Sequence, residues 1–224
     1  MSDNGDKKRS ESIEDYLRVI YRLGEHQEKV STSSIADRLG ISSASVTKML
    51  KRLAKEGLLE HVPYKGVSLT ESGRKAALRV VRHHRLIELL LTDILGVPWD
   101  RVHEEAHRLE HSISDYLEER IAAVLGYPEF DPHGQPIPTR DGEIRKTEMW
   151  LLTEVKVGFC GRIAEVNDSD SSLLRYLGER GLYPRTSLEL VEREPFGGNV
   201  TLQVEDKLIS IGSKAAEHIW VALK

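Results

Sequence analysis

The stretch VHEEAHRLEH, Val102 to His111, gathers side chains that bind metals or move protons. It contains H-E-x-x-H (His103, Glu104, His107), in which two imidazoles one helical turn apart hold zinc and the intervening glutamate serves as general base. The run then continues to Glu110 and His111. On a helix, steps of three and four residues put His103, His107, Glu110, His111 and Ser114 on one face. That is more donors than one zinc uses. Upstream, His84 and Glu88 lie four residues apart on another segment with helical periodicity. The donors are imidazoles and carboxylates, with no cysteine or methionine placed among them. Such a set suits Mn(II) or Fe(II), and Zn(II) can also bind. A zinc peptidase would need His103 and His107 on one ion, Glu104 as base, a third ligand and an open water position. That reading leaves His84, Glu88, Glu110 and His111 without a role. The other reading is a metal centre shared by neighbouring helices, without catalysis.

Helices must align these donors, and the periodicity supplies them. SIEDYLRVIYRLGE has apolar residues at 13, 16, 17, 20, 21 and 23, with Gly24 as a stop. A short helix from about Ser33 to Leu39, the turn Gly40-Ile41-Ser42, and a second helix from about Ser43 to Glu56 follow the helix-turn-helix pattern. Two extended pieces around Pro63-Tyr64-Lys65-Gly66 then read as a hairpin, which makes the unit winged. Thr70 caps a long helix ending at Gly96, and a further helix is expected over roughly Trp99–Gly126. The apolar stripe of its SDYLEERIAAVLG half closes a monomer core or pairs two subunits; the pattern alone does not choose. Four of the eight prolines lie between Pro128 and Pro138, which predicts a semi-rigid linker. Short β-like runs after it suggest a small barrel. The expected fold class is α+β. Its predicted parts are a winged helix-turn-helix at 1–73, a helical dimerisation and metal-binding domain at 74–127, a linker at 128–148 and a β-barrel at 149–224. No internal repeat is visible.

With 39% hydrophobic and 30% charged residues the 224-residue chain has the composition of a soluble globular protein. No run reaches the ~18 apolar residues of a membrane span. The polar start MSDNGDKKRSES reads as a disordered leader on a cytoplasmic protein, and the single Cys160 excludes an internal disulfide framework. The net charge of −4 hides a segregation. From Arg38 to Arg85 there are eleven bases and three acids, a local +8, whereas residues 86–224 carry fifteen bases and twenty-five acids, a local −10. A basic segment in an acidic chain suggests a nucleic-acid footprint attached to something else; on charge alone a solvated helix face is the other reading. Ser42, Ser43, Ala44, Ser45, Thr47 and Lys48 occupy the start of the second helix, where base edges are met. Lys51, Arg52, Lys55 and Lys65 suit phosphates, while Val46, Met49, Leu50 and Leu53 are spaced to face inward. Ser42 or Ser43 also serves as a helix cap.

Six segments, SIEDYLRVIYRL, SSASVTKMLKRLAKEGLL, YKGVSLTESGR, HHRLIELLLTDILG, VHEEAHRLEHSISDYLEER and DPHGQPIP, together resemble the iron- and manganese-dependent repressors of the DtxR/MntR family. The stretch GRIAEVNDSDSSLLRYLGERGLYPRTSLELVE is similar to the SH3-like, FeoA-type domain of its longer members. The resemblance implies a homodimeric, cytoplasmic repressor of metal-homeostasis genes that binds operator DNA, with no membrane attachment, no enzymatic activity and two metal sites per subunit. It implies a regulatory site of Asp15, His107, Glu110 and His111, and an ancillary site of His84, Glu88 and His103 completed by Glu165 and Asp168. The two histidines of H-E-x-x-H thus go to different metals. Asp15 stands where iron-type members have methionine, Arg18 replaces a second carboxylate of some manganese-type members, and His107 replaces cysteine or glutamate. Asp168 stands in place of an amide ligand. The sulfur-free set favours Mn(II), with Fe(II) the alternative. Taken by itself, Ser12-x-x-Asp15 also reads as a capping box at a helix start. Without metal, Asp15 and Glu110 are expected to repel each other. A winged-helix protein that senses something other than metal remains the further alternative.

Overall fold

The structure, a computed structural model, describes residues 3–25, 29–62 and 66–223, with the backbone alone for 3–10 and 62. It divides into two compact units, Met1–His83 with Glu110–Ile113 and Pro138–Glu143, and His84–Leu109 with Ser114–Ile137 and Ile144–Lys224.

In the first unit, α1 (Asp3–Gly24) buries Tyr16, Leu17, Ile20 and Tyr21, the stripe that the periodicity marks. The helix begins at Asp3, so the segment expected as a disordered leader is helical from there. Its residues include no proline, and nothing stops a helix nucleated over 13–24 from propagating back. Ser12 therefore sits mid-helix and caps nothing, which removes the capping reading of Asp15. The helix α2 (Thr32–Leu39) starts on Ser31, whose Oγ accepts the Ser34 N–H at 3.0 Å. It ends on Gly40, whose φ of 64° turns the chain without the steric cost that a side chain would bring. Ser42 caps α3 (Ser43–Lys55), whose Val46, Leu50 and Leu53 are fully buried; Met49 is only half-buried. The wing is β1 (Leu59–Val62) against β2 (Gly66–Leu69), antiparallel with Leu59 opposite Leu69. Pro63, Tyr64 and Lys65 at its tip lie outside the described residues. The next helix, α4 (Glu71–Leu89), packs its first turn so tightly on the wing that a Cβ at Gly73 would come 1.8 Å from the Leu58 carbonyl.

In the second unit α4 passes into a π-helical turn, Leu90–Ile94, and stops at Gly96 with φ 68°. The single helix expected over Trp99–Gly126 is two: α5 (Val102–Leu109) and α6 (Asp115–Val124), separated by a 3-10 turn at Glu110–Ser112 that belongs to the first unit. Ser114 causes the break. Its backbone is extended and its Oγ accepts the Leu117 N–H at 3.3 Å, so it caps α6 and leaves the ligand face. Leu86, Leu89, Ile121, Ala122 and Ile137 form a small core. Ile137 comes from the proline-rich segment, which packs as a loop: Asp131 Oδ1 accepts the N–H groups of His133 and Gln135, each at 2.9 Å. At Gly134 (φ 87°) a Cβ would lie 2.0 Å from the Ala164 carbonyl, so only glycine permits this approach.

The remaining strands are β3 (Trp150–Leu151), β4 (Cys160–Val166), β5 (Ser187–Arg193), β6 (Asn199–Val204), β7 (Lys207–Gly212) and β8 (Ile219–Ala222). They form one antiparallel six-stranded sheet in the order β3-β8-β4-β5-β6-β7, with α7 (Ser171–Gly178) and α8 (Ser213–Ala216) in its connections. Ile163, Leu190, Leu202 and Val221 are fully buried in its core, and Trp99 packs against them from the segment before α5. Among the described residues no helix is long and apolar enough to cross a membrane.

Candidate metal centres and nucleic-acid face

In the first unit, α1 and the 3-10 turn bring Asp15, Glu110 and His111 together. His111 Nε2 lies 3.1 Å from Asp15 Oδ1 and 3.4 Å from Glu110 Oε1. Two ligand atoms bound side by side at ~2.1 Å from one ion sit about 3 Å apart, so these three atoms fit a divalent cation. The turn is pinned by His83, whose Nδ1 donates to the Glu110 carbonyl at 3.2 Å. On the far side of the His111 ring, Nδ1 donates to Glu14 Oε2 at 2.6 Å, which fixes the ring plane and turns Nε2 toward Asp15. The Glu110 side chain is fully buried, and Arg18, one turn after Asp15 on α1, places Nη2 3.6 Å from its Oε1. His107 stands three residues ahead of Glu110, in the last turn of α5, and is exposed.

The charges answer one expectation. Burial works against a charged His111, but the hydrogen bonds to Asp15 and Glu14 and the charge of Glu110 outweigh it and push the imidazole up to about 10. With His111 charged between them and Arg18 beside Glu110, Asp15 and Glu110 do not simply repel.

In the second unit a denser set forms. His84 Nε2 is 2.9 Å from Glu88 Oε1 and 3.1 Å from His103 Nδ1. His103 Nδ1 is in turn 3.2 Å from Glu88 Oε1 and 3.3 Å from Asp168 Oδ2. One donor atom from each of the four residues lies within 4.8 Å of all the others. The α-helical step of four aligns His84 and Glu88, α5 brings His103, and the turn after β4 brings Asp168. Glu165, named beside Asp168 in the sequence, sits on β4 opposite Trp220, half-buried and outside this gathered set. Burial alone would raise the Glu88 carboxyl, yet the charge of His84 and hydrogen bonds with His103 and His84, with the His133 ring close by, hold it well below the usual carboxylate range. His103 loses charge stability through burial and regains more from Asp168 and Glu88, which take it to about 9.

Behind Glu88 lies a layer that spacing rules miss. Asp131, His133 and Arg85 are buried beside it, with Arg85 Nε 3.5 Å from Asp131 Oδ2 and His133 Nδ1 3.6 Å from Glu88 Oε2. Glu14 and Arg18 are likewise supports that spacing does not mark. The available signals were the DPHGQPIP motif itself and the acid adjoining Asp15.

On α3, Ser42, Ser43, Ala44, Ser45, Lys48, Lys51 and Lys55 are exposed, and Thr47 and Arg52 are half-buried. Several are engaged locally. Ser42 Oγ accepts the Ser45 N–H at 3.3 Å, Thr47 Oγ1 donates to the Ser43 carbonyl at 2.8 Å, and Arg52 Nε donates to Glu56 at 2.8 Å. The exposed edge is thus a basic, hydroxyl-rich helix start of the kind that enters a major groove.

Comparison with known proteins agrees along the chain. The family model for the iron-dependent repressor N-terminal DNA-binding domain matches residues 8–67. The iron-dependent repressor metal-binding and dimerisation domain matches residues 70–139, and a FeoA domain matches 151–223. The iron-dependent repressor IdeR of Mycobacterium tuberculosis is 35% identical over 207 residues, 87% of this chain and 89% of that protein. A solved manganese-dependent transcriptional repressor in complex with manganese is 40% identical, covers 95% of this chain and 100% of its own, and superposes with a TM-score of 0.89. The cadmium-bound repressor ScaR superposes at 0.81 with 34% identity, over 95% of this chain and 99% of its own.

Proposed function

The chain belongs to the iron-dependent repressor family of metal-dependent transcriptional regulators, and from that premise we propose that it is a Mn(II)-activated repressor acting on double-stranded operator DNA. Members of this family are DNA-binding repressors and not enzymes, so the H-E-x-x-H run is not a peptidase motif; Glu104 is exposed. The observation that carries the manganese reading is the sulfur-free donor set Asp15, Glu110 and His111, joined by His107 from the preceding turn, which matches a hard cation. The likeness to a manganese-dependent repressor supports it. His84, Glu88, His103 and Asp168 form the second site, so each subunit holds two ions, with Glu165 on the adjoining strand as a further candidate donor.

A divalent ion at the first site supplies charge that Asp15, Glu110 and the neutral form of His111 share as donors. Asp15 then ties α1 to the 3-10 turn, while α1 packs on α2 and the wing. Fixing α1 narrows the positions open to α3, and a narrower range favours the spacing of two major-groove half-sites. Lys51, Lys55, Arg52 and Lys65 meet phosphates, and Ser42, Ser43, Ala44, Ser45, Thr47 and Lys48 meet bases. A second copy covers the apolar side chains that α6 and the π-turn leave exposed, Tyr116, Leu117, Val124, Ile94 and Leu95, giving a homodimer. The site of action is the cytoplasm. Linkage requires that operator tighten metal binding by the factor by which metal tightens operator binding, typically ~1–3 kcal/mol.

The test is an anaerobic titration of Mn(II), Fe(II) and Zn(II) against duplex DNA selected from a random library by the full chain. Mn(II) is expected to promote binding at the lowest concentration, and chelator to reverse it. Binding that ignores every metal would establish a winged-helix sensor of another ligand; activation by Fe(II) alone would replace manganese with iron.

A further inference from the structure

The second metal cluster rests on a residue that is not one of its donors. His133 is fully buried, and each of its polar groups is directed at a different segment. Its Nε2 lies 2.9 Å from the Trp99 carbonyl; a carbonyl only accepts, so Nε2 carries the hydrogen. Its Nδ1 faces Glu88 Oε2 at 3.6 Å, and neither of these two buried atoms has a hydrogen-bond partner within 3.5 Å. The distance exceeds a hydrogen bond, so the ring sets the place of Oε2 by packing against it, with no shared hydrogen. The backbone N–H of His133 is held by Asp131 Oδ1 at 2.9 Å, and its carbonyl accepts the Val166 N–H at 2.9 Å. The Trp99 ring stacks on the imidazole with centroids 5.7 Å apart and planes inclined by 27°. Arg85 steadies the same loop by donating to the Gln135 side chain at 2.8 Å.

These contacts divide the work of Glu88 between its two oxygens. Oε1 faces His84 and His103, while Oε2 faces His133. They also join the three segments that carry donors. Glu88 is on α4, Trp99 is four residues before His103, and Val166 is two residues before Asp168.

We infer that His133 is a positioning residue for the second metal site, holding Glu88 so that a single oxygen is presented to the ion and locking the donor-bearing segments in register. This rests on the reading of Glu88 as a metal ligand. A supporting partner of this kind is worth roughly 10- to 100-fold in metal affinity.

The test uses the full chain and Mn(II), with calorimetry resolving two classes of site and Co(II) d–d absorption reporting donor geometry. His133→Asn places an amide near the position of Nδ1 and keeps the contact to Glu88; His133→Gln places one near Nε2 and keeps only the contact to Trp99; His133→Phe keeps the stacking and neither contact. The expected result is a ~10- to 100-fold weakening of one class in the Phe and Gln variants, recovery of most of it in Asn, and an unchanged other class. Should the Phe variant fail to fold, the Asn and Gln variants still decide. Equal weakening in Asn and Gln marks His133 as a brace for the loop alone and overturns the inference, as does wild-type affinity in all variants. A wild-type chain with no class of site sensitive to Glu88→Ala would instead overturn the underlying assignment.

Discussion

The two donor clusters are built from the same residue types and differ in what surrounds them. The first joins residues 96 positions apart, and its Asp15 side chain keeps 28% of its surface in solvent. Apart from the buried Glu110, its members are reachable, and it is steadied by Glu14, Arg18 and His83. The second is nearly closed. His84, Glu88 and Asp168 are buried, and behind them lies a further buried layer of His133, Asp131 and Arg85. A contact between solvent-accessible groups opens without disturbing a core, whereas a buried one opens only with local unfolding. On the proposed reading, the contrast would place sensing at the first cluster and holding at the second.

The largest effect that tests this contrast is on DNA binding. Asp15→Ala and His111→Ala are each expected to abolish metal-dependent operator binding, read by fluorescence anisotropy, while circular dichroism shows a folded chain. A full metal response in either variant would move sensing elsewhere. Next in size is the loss of a buried charge. Glu88→Ala leaves three histidines without their shared carboxylate and should lower the stability of the metal-free chain by about 3–5 kcal/mol in urea denaturation. Asp15→Ala should cost less than about 1 kcal/mol by the same measurement, because its pairing is partly solvated. Equal losses would erase the distinction between the clusters.

The effect that leaves the sequence untouched is a pH dependence that both clusters share. His111 and His103 are raised from 6.5 to about 10 and about 9 in the folded chain. A raised folded value gives stability that is complete below pH ~6.5 and is lost as the pH climbs through 9 to 10. Glu88, held low, contributes stability that is present above its ordinary range and lost only in strong acid. The urea midpoint of metal-free protein should therefore fall from pH 6 to pH 9.5. Mn(II) should flatten or reverse that fall, since its binding needs the imidazoles neutral. A flat metal-free profile would show that these histidines are not charged in the fold.

Local signals made the winged unit readable: Ser31 and Ser42 are caps, Gly40 is a left-handed stop, and the apolar residues recur at helical spacing. The candidate donors His84 and Glu88 were readable for the same reason, since a helical step of four aligns them; Glu110 and His111 were legible by residue type, though a 3-10 turn carries them. The break at Ser114 was hidden because serine caps a helix or rides on one, and only the extended backbone there distinguishes the two. The proline-rich segment was read as a spacer because proline content marks stiffness but says nothing of burial. Its packing follows from Asp131 closing the turn and Gly134 admitting the Ala164 carbonyl, both long-range matters. Support residues were hardest to see. His133 is 45 positions from Glu88, and no periodicity links them.

Arg18 has one more consequence. Its guanidinium lies 3.6 Å from Glu110, so a cation entering the first site would not meet bare negative charge. If the first site takes a divalent ion, as proposed, its loading would be an exchange of one cation against another, and its free energy the difference between the two. A difference of that kind defines a set point. On the proposed reading, Arg18 would weaken the apparent affinity of the first site and so raise the ion concentration at which half of the sites fill.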